Sequence, residues 1–527
     1  MDENTPEIKR ALISVSDKSG LAELAAKLHS RKVEIISSGG TGKHLQDHGI
    51  PFTPIEKVTG NPECFGGRMK TLSFQVSSAL LFRRENATDR QEAVKLGIHS
   101  IDLVVCNLYP FEEVAKRPHA WDELVENIDI GGPTMIRAAA KNYTSVGVVT
   151  DPSQYGMVIR DINETGGKLR SATLQNLALE AFRHTARYDA LIASKMEEAW
   201  GAELKTIVLS PAGATALRYG ENPHQKSWVY LDPFHPGLAG AVPLQGKELS
   251  YNNLLDADAA WRCCGDIAAA QLTAFPAAVS IIKHLSPCGA ALAKTPLAAL
   301  ELAWAGDKVS SFGGILCFNQ PVDRDVAVWL EDRFVEVIVA PAYTGEARDI
   351  FAKKKNLRLI EMKPYDGFYK PAIVRSISGG WLVQQEDTGM DAEFRPVTGV
   401  VFPADKNNLA QFGVMACKHL KSNAIGIFSA SEKGLSMIGA GMGNPNRLIS
   451  MQQAFEKARE NGHFDLSEAV LVSDAFFPFT DNIGTAASAK IRYIIQPGGS
   501  IKDKDVIQAC DEANISMAFT GRRHFRH

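Results

Sequence analysis

The sequence predicts an α/β protein, and three of its features carry that expectation. Short apolar runs rich in Val and Ile alternate with helical patterns from Lys9 to about Ala199, the order that gives parallel strands joined by crossover helices. Several runs end in small or hydroxylated residues that open the next helix, as in Ser38-Gly39-Gly40-Thr41-Gly42. A chain of 527 residues also exceeds one simple sheet, so two to four domains are expected. Ala11-Leu12-Ile13-Ser14-Val15 reads as a first strand, Gly20 to His29 as an amphipathic helix, and Val33-Glu34-Ile35-Ile36-Ser37 as a second strand. Ile101 to Asn107 and Ser145 to Val149 read as further buried strands. Thr173 to Ala199 is one long helical pattern that meets its first glycine at Gly201. The stretch from Gly201 to Ala216 reads as the passage into a second unit, which places the domains at residues 1–200 and 201–527.

In the second unit, Ala278-Val279-Ser280-Ile281-Ile282 reads as a buried strand that ends in Lys283-His284. Ser286 is placed to cap, and Pro287 to begin, a helix directly afterwards. A cation and a titratable imidazole are thus expected together at the carboxyl end of a strand, beside a helix N-terminus. That edge of an open α/β sheet is where ligands bind. A faint echo of this region around Ile425-Gly426-Ile427, preceded by Lys421-Ser422-Asn423, suggests a duplicated α/β subdomain.

Composition narrows the function. Hydrophobic content of 45% and charged content of 22% are those of a soluble globular protein. A net charge of -3 with no Lys/Arg-rich block excludes a nucleic-acid coat. Eight cysteines without a Cys-x-x-Cys, and an acidic start Met1-Asp2-Glu3-Asn4-Thr5, read as reduced thiols in a cytoplasmic protein. No apolar run approaches membrane-spanning length, so neither a membrane nor a nucleic acid is expected as partner.

Ser14-Val15-Ser16-Asp17-Lys18 and Ser38-Gly39-Gly40-Thr41 each follow a strand and open a helix. Hydroxyls, unhindered glycine amides and a helix N-terminus make a phosphate cradle. Either turn alone reads as ordinary turn chemistry; the two together, with Gly67-Arg68-Met69-Lys70, point to a phosphorylated small molecule. Asn127-Ile128-Asp129-Ile130-Gly131-Gly132 adds a carboxylate before a glycine turn, and Arg137 and Lys141 share one face of the following helix. Taken singly, Tyr109 reads as a packing residue and Asp129 as a cap.

These residues carry a resemblance. Ser14-Val15-Ser16-Asp17-Lys18, Asn107-Leu108-Tyr109-Pro110-Phe111 and Asn127-Ile128-Asp129-Ile130-Gly131-Gly132 are similar to the inosine monophosphate (IMP) cyclohydrolase domain of the bifunctional purine-biosynthesis family. In that family it is fused to 5-aminoimidazole-4-carboxamide ribonucleotide (AICAR) formyltransferase. The resemblance runs on through Arg218-Tyr219-Gly220-Glu221-Asn222-Pro223-His224-Gln225, Leu249-Ser250-Tyr251-Asn252-Asn253-Leu254, Lys283-His284, Ser310-Ser311-Phe312-Gly313-Gly314, Ser473-Asp474-Ala475-Phe476-Phe477-Pro478-Phe479 and Arg523-His524-Phe525. It implies a methylglyoxal-synthase-like parallel-sheet domain, then a transformylase domain of two cytidine-deaminase-like subdomains. It also implies a homodimer whose transferase site is shared between subunits.

By resemblance, Lys70, Tyr109, Asp129 and Lys141 would close formyl-AICAR to IMP with loss of water, and Ser14, Ser16, Lys18, Ser38, Gly39, Gly40, Thr41 and Arg68 would hold the phosphate. In the second unit, formyl transfer from 10-formyltetrahydrofolate to a weakly nucleophilic amine needs a base at the amine and a donor at the developing oxyanion or departing nitrogen. His284 fits the first role and Lys283 the second. Arg218 and Arg523 suit a nucleotide phosphate. The resemblance adds Tyr219, Asn253, Gly313, Asn423, Arg447, Phe476, Phe479 and Asp481 to nucleotide and folate binding. Pro287-Cys288 also resembles the start of a zinc deaminase motif. Ala291 stands where the second Cys belongs, and no His-x-Glu occurs, so no zinc is expected.

The chain departs from the family in three places. The family commonly reads Lys-Thr-Leu-His-Pro-x-Val-His-Gly-Gly, whereas this chain has Lys70-Thr71-Leu72-Ser73-Phe74-Gln75-Val76-Ser77-Ser78-Ala79. If the missing histidines only orient the loop, cyclohydrolase activity survives; if they support Lys70, it weakens. The loop from Gly439 to Arg447 is two residues longer than usual, so Arg447 is free to sit differently, and Thr480 replaces an Arg.

Overall fold

A computed structural model describes residues 5, 7–65, 68–201, 214–232, 237–270, 272–365, 373–389 and 393–527. Gly67 and most of the passage expected between units, residues 202–213, lie outside these. The chain divides into two compact units, Met1–Ala212 and Gly213–His527.

The first unit is built on five strands, β1 (Arg10–Ser14), β2 (Glu34–Ser37), β3 (Thr53–Pro54), β4 (Leu103–Cys106) and β5 (Gly147–Val149). They pair in the order β3-β2-β1-β4-β5, all parallel. β4 and β5 are buried along their whole length, as strands covered by helices on both faces must be. The helix Leu21–Ser30 buries Leu21, Leu24, Ala25 and Leu28, one apolar stripe, against this sheet. The helix Ser171–Trp200 ends at Gly201 in the left-handed region, a C-terminal stop that glycine adopts without steric cost. The strand order runs outward from β1 to β3 and then restarts on the other side with β4. The carboxyl edge at the switch point between β1 and β4 is where sheets of this order bind ligands.

The second unit has a small hairpin, β6 (Ala214–Leu217) with β7 (Ser227–Tyr230), and an eleven-stranded sheet. Half of that sheet comprises β8 (Ala277–Lys283), β9 (Ser286–Ala293), β10 (Ile315–Phe318), β11 (Val337–Ala340) and β12 (Arg358–Glu361). A separate hairpin, β13 (Ile373–Ile377) with β14 (Gly380–Gln384), and the edge strand β15 (Arg395–Pro396) follow. The other half comprises β16 (Ile425–Ser431), β17 (Gly434–Gly441), β18 (Val470–Ser473), β19 (Tyr493–Gln496) and β20 (Ser516–Phe519).

Within the second unit one pattern of elements occurs twice. Each half has a helix, a hairpin of a seven- and an eight-residue strand, and then three four-residue parallel strands with helices between them. The halves join where β9 pairs antiparallel with β17.

One expectation is overturned here. Ser286 and Pro287 do not start a helix; they start β9, which folds back on β8. A proline is tolerated because the β8–β9 register shifts between Ile281 and Ile282, with Ile282 then opposite Pro287, and such an irregularity spares the amide that proline lacks.

Candidate active sites

In the first unit the candidate residues gather at the carboxyl edge, around the switch point. Asn107, just past β4, holds the Ser14–Lys18 turn: its Oδ1 accepts from the amides of Ser16 at 2.6 Å and Asp17 at 3.0 Å, and its Nδ2 donates to the Asp17 carbonyl at 2.9 Å. Thr41 Oγ1 accepts from the Val15 amide and donates to the Val15 carbonyl, both at 3.0 Å. Thr41 is therefore a buried clamp between two loops. Lys18 Nζ donates to the Ser16 carbonyl at 3.2 Å.

Ser38 precedes the helix Gly39–Asp47 without its side chain bonding the first-turn amides, which leaves Gly39 and Gly40 open to an anion. A Cβ on Gly39 would lie 2.5 Å from Lys70 Nζ. The ammonium thus stands against a positive helix end, an arrangement that an anion shared by both relieves. Glu63 is 3.1 Å from Lys70 Nζ, and Arg68 is paired with Glu126.

Asp129 lies beside Tyr109, from whose amide it accepts. Its Oδ1 accepts from the Gly132 amide at 2.8 Å, and a Cβ on Gly132 would lie 2.6 Å from its Oδ2, so only glycine fits there. The Asp129 amide donates to Tyr188 Oη at 2.7 Å, and that hydroxyl donates to the Asn127 carbonyl at 3.0 Å. The long helix Ser171–Trp200 thereby pins the loop, a role for Tyr188 that no motif announces. Burial raises the Asp129 carboxyl above its usual range despite amides that oppose the rise. The Tyr109 phenol is pushed up by burial and by Asp129, with Lys70 pulling the other way. Tyr109 thus lies within electrostatic reach of both Asp129 and Lys70. Lys141 is not brought to them: it is the exposed last residue of the helix Gly131–Lys141, about 15 Å along the axis from Gly131.

In the second unit Lys283 and His284 sit at the two-residue turn between β8 and β9. His284 and Leu285 have φ of 53° and 65°, the geometry that favours Asn-Gly in tight hairpins. Residues with a Cβ are disfavoured there by about 1–2 kcal/mol each. Lys283 Nζ donates to the Phe312 carbonyl at 2.8 Å, beside Gly313 at φ 73°. Asn253 closes a capping box with Ser250 at the start of the helix Tyr251–Ala268, and its Nδ2 donates to Glu336 at 2.9 Å. Asn252 donates to the Glu221 carbonyl at 3.3 Å, which sets the Arg218-Tyr219-Gly220-Glu221 turn beside that helix. Arg218 itself stacks on Tyr219.

The other half contributes a second cluster. Arg447 donates to Asn423 Oδ1 at 2.7 Å and to Ser473 Oγ at 3.1 Å, and is paired with Asp474. Burial raises the Asp474 carboxyl although Arg447 opposes the rise. Arg523 and Arg447 flank the Phe525 ring, at 4.5 and 5.9 Å from its centroid. Phe479 is 62% exposed beyond β18, while Asp481 Oδ1 bonds Asn482. Phe476 is half-buried on the same lip. A cavity of about 180 Å³ between the halves is lined by Lys283, His284, Cys288, Asp307, Met442 and Lys457 among others. Cys288 has no second thiol beside it: Sγ donates to the Ile281 carbonyl at 3.4 Å and lies 3.9 Å from Ser311 Oγ. Burial pushes its thiol up to about 12. Among the described residues, no group of three or more His, Cys, Asp or Glu is placed to hold a metal.

A family model described as "AICARFT/IMPCHase bienzyme" matches residues 139–457, and one described as "MGS-like domain" matches residues 20–134. The chain belongs to the AICARFT/IMPCHase bienzyme family. It is 43% identical to "Bifunctional purine biosynthesis protein PurH" of Persephonella marina, over 98% of this chain and 100% of the relative. The protein of that name from Synechococcus sp. (strain CC9605) is 45% identical over 98% and 99%, and that from Aquifex aeolicus 43% over 98% and 100%.

The bienzyme accommodates its departures from the family pattern locally. Ser73 Oγ accepts from the Val76 amide at 3.0 Å and caps the helix Phe74–Leu81, so the helix after Lys70 starts without the usual proline. Ser73→Ala is expected to cost about 1 kcal/mol, read as a lower urea midpoint for the first unit. The longer loop is tied down by Asn444, whose Nδ2 reaches Gln453 Oε1 at 2.7 Å and Ser450 Oγ at 3.1 Å. Arg447 still meets Asn423 and Asp474. Thr480 precedes the helix Asp481–Ser488 without a side-chain cap bond.

Proposed function

We propose that the second unit transfers a formyl group from 10-formyltetrahydrofolate to AICAR and the first unit closes formyl-AICAR to IMP. The bienzyme catalyses these two final steps of purine synthesis, and the division of labour follows from the chemistry of each cluster. In the second unit the AICAR amine attacks the formyl carbon while His284 takes its proton. Lys283 stabilises the oxyanion and protonates the folate nitrogen as its bond to carbon breaks, leaving formyl-AICAR and tetrahydrofolate. Asn423, Arg447, Arg523 and the lip of Phe476, Phe479 and Asp481 bind nucleotide and folate, together with Arg218, Tyr219, Asn253 and Gly313.

In the first unit the phosphate lies on Ser14, Ser16, Lys18, Ser38, Gly39, Gly40 and Arg68. The carboxamide nitrogen attacks the formyl carbon as Asp129 takes its proton, and Lys70, with Tyr109 beside it, stabilises the oxyanion and protonates it to a hydroxyl. The C–O bond then breaks as Asp129 returns its proton to that hydroxyl, which leaves as water, while the former amine nitrogen gives its proton back to Lys70 and the ring C=N bond forms. The observation that carries this reading is the meeting of Lys70, Tyr109 and Asp129 at the sheet's switch point, matched by Lys283 and His284 at the hairpin turn. Formation of IMP from AICAR and 10-formyltetrahydrofolate by the purified chain tests it; formyl-AICAR without IMP would support instead a transferase with an impaired cyclohydrolase.

The protein works in the cytoplasm as a homodimer. Its eight cysteines are free, which suits a reducing compartment. The separate hairpin β13–β14 exposes Trp381 (69%), Leu382 (58%) and Ile377 (50%), and two strands alone are marginal in water. Sedimentation is expected to give twice the chain mass for the intact protein and a lower mass for Trp381→Asp/Leu382→Asp.

A further inference from the structure

The turn that carries His284 does not hold its shape by itself. His284 and Leu285 both lie in the left-handed region, at φ 53° and 65°, and neither is the glycine or asparagine that this turn favours. The other half offers an internal control. Its hairpin has the same strand lengths and a two-residue turn, Glu432-Lys433, yet neither of those residues has positive φ. The left-handed pair belongs only to the copy with the candidate catalytic residues. Backbone strain confined in this way persists where the surroundings over-determine it.

What over-determines it is one carboxylate. Asp256 Oδ1 accepts from the Leu285 amide at 2.7 Å, and Asp256 Oδ2 accepts from the His284 amide at 3.2 Å. Asp256 stands one turn beyond Asn253 on the helix Tyr251–Ala268. That helix is fixed on β8 by Ser280 Oγ donating to the Ala260 carbonyl at 2.8 Å and by Cys264 Sγ donating to the Ala278 carbonyl at 3.4 Å. The carboxylate is partly buried, a cost that these two amides offset only in part.

We infer that Asp256 is a positioning residue for formyl transfer, which holds the His284-Leu285 turn left-handed and so aims the imidazole at the amine. The inference rests on the reading of Lys283-His284 as the transferase pair. Without the carboxylate, the turn relaxes toward ordinary backbone angles and His284 leaves its place.

The test is steady-state kinetics on the full chain with AICAR and 10-formyltetrahydrofolate. Cyclisation of formyl-AICAR and thermal unfolding are measured alongside. Asp256→Ala is expected to lower the transferase kcat about 100-fold, the scale of a misplacement near 1 Å, with the KM for AICAR changed less than about threefold and cyclisation unchanged. Adding Leu285→Gly, which reaches positive φ without strain, is expected to recover about tenfold of kcat. A side chain needed only for stability would show no such rescue at a temperature where both variants are folded. Should Asp256→Ala unfold, Asp256→Asn keeps one acceptor and is expected to give an intermediate kcat. Transferase kcat within about threefold of the parent in Asp256→Ala or Asp256→Asn, or a folded Asp256→Ala that Leu285→Gly does not rescue, overturns the inference. No formyl transfer by the parent chain overturns the reading beneath it.

Discussion

His284→Ala is expected to lower the kcat of formyl transfer by about 10²–10⁴-fold, the usual contribution of a positioned general base. The AICAR amine is conjugated with its ring and becomes a useful nucleophile only as its proton leaves. His284 carries the imidazole assigned to take that proton, and it is exposed at the tip of the turn. Lys283 cannot substitute, because an ammonium donates and does not accept; its Nζ already donates to the Phe312 carbonyl. Cyclisation of added formyl-AICAR is expected to be unchanged, since the residues assigned to it all lie in the other compact unit. A variant that keeps more than about a third of the transferase rate would remove His284 from the chemistry.

Lys70→Ala is expected to have the mirror effect: cyclisation falls about 10²–10³-fold, the scale for losing one preorganised donor at a developing oxyanion, while formyl transfer persists and formyl-AICAR accumulates. The magnitude follows from where the ammonium stands, against the first turn of the helix Gly39–Asp47 and within electrostatic reach of Tyr109. The pH profile checks the same site. Asp129 must be ionised to accept a proton, and burial raises its carboxyl above the ordinary range. The cyclisation rate is therefore expected to rise with pH through a limb above the usual carboxylate value of 3.8. Asp129→Asn is expected to remove that limb along with most of the rate. For stability the sign is opposite: the raised carboxyl favours folding below its unfolded value, and that contribution is lost as pH rises through the folded one.

Much of the first unit was legible in the sequence because its strands are short, wholly buried apolar runs, and parallel strands with crossovers leave a plain alternation. The phosphate turns were legible for the same reason: Ser, Gly and Thr fall where strands end. β3 escaped notice because it has two residues, Thr53–Pro54, at the sheet edge. Ser286-Pro287 misled because capping and helix-starting signals are local, whereas the β8–β9 register shift that accommodates the proline arises from pairing. Lys141 matched a motif, but a motif does not say how far a helix carries its last residue from its first. Asp256 and Tyr188 were invisible for a related reason. Each acts by holding a turn distant in sequence, and no spacing rule connects Asp256 to Leu285 or Tyr188 to Asp129.

The most direct measurement follows AICAR and 10-formyltetrahydrofolate through both steps, with the parent chain, His284→Ala and Lys70→Ala run in parallel. IMP is expected from the parent, formyl-AICAR reduced by about 10²–10⁴-fold from His284→Ala, and formyl-AICAR with little IMP from Lys70→Ala. Mixing the two variants is expected to restore IMP. IMP formed at the parental rate by either variant alone, or no IMP from the parent, would contradict this division of labour.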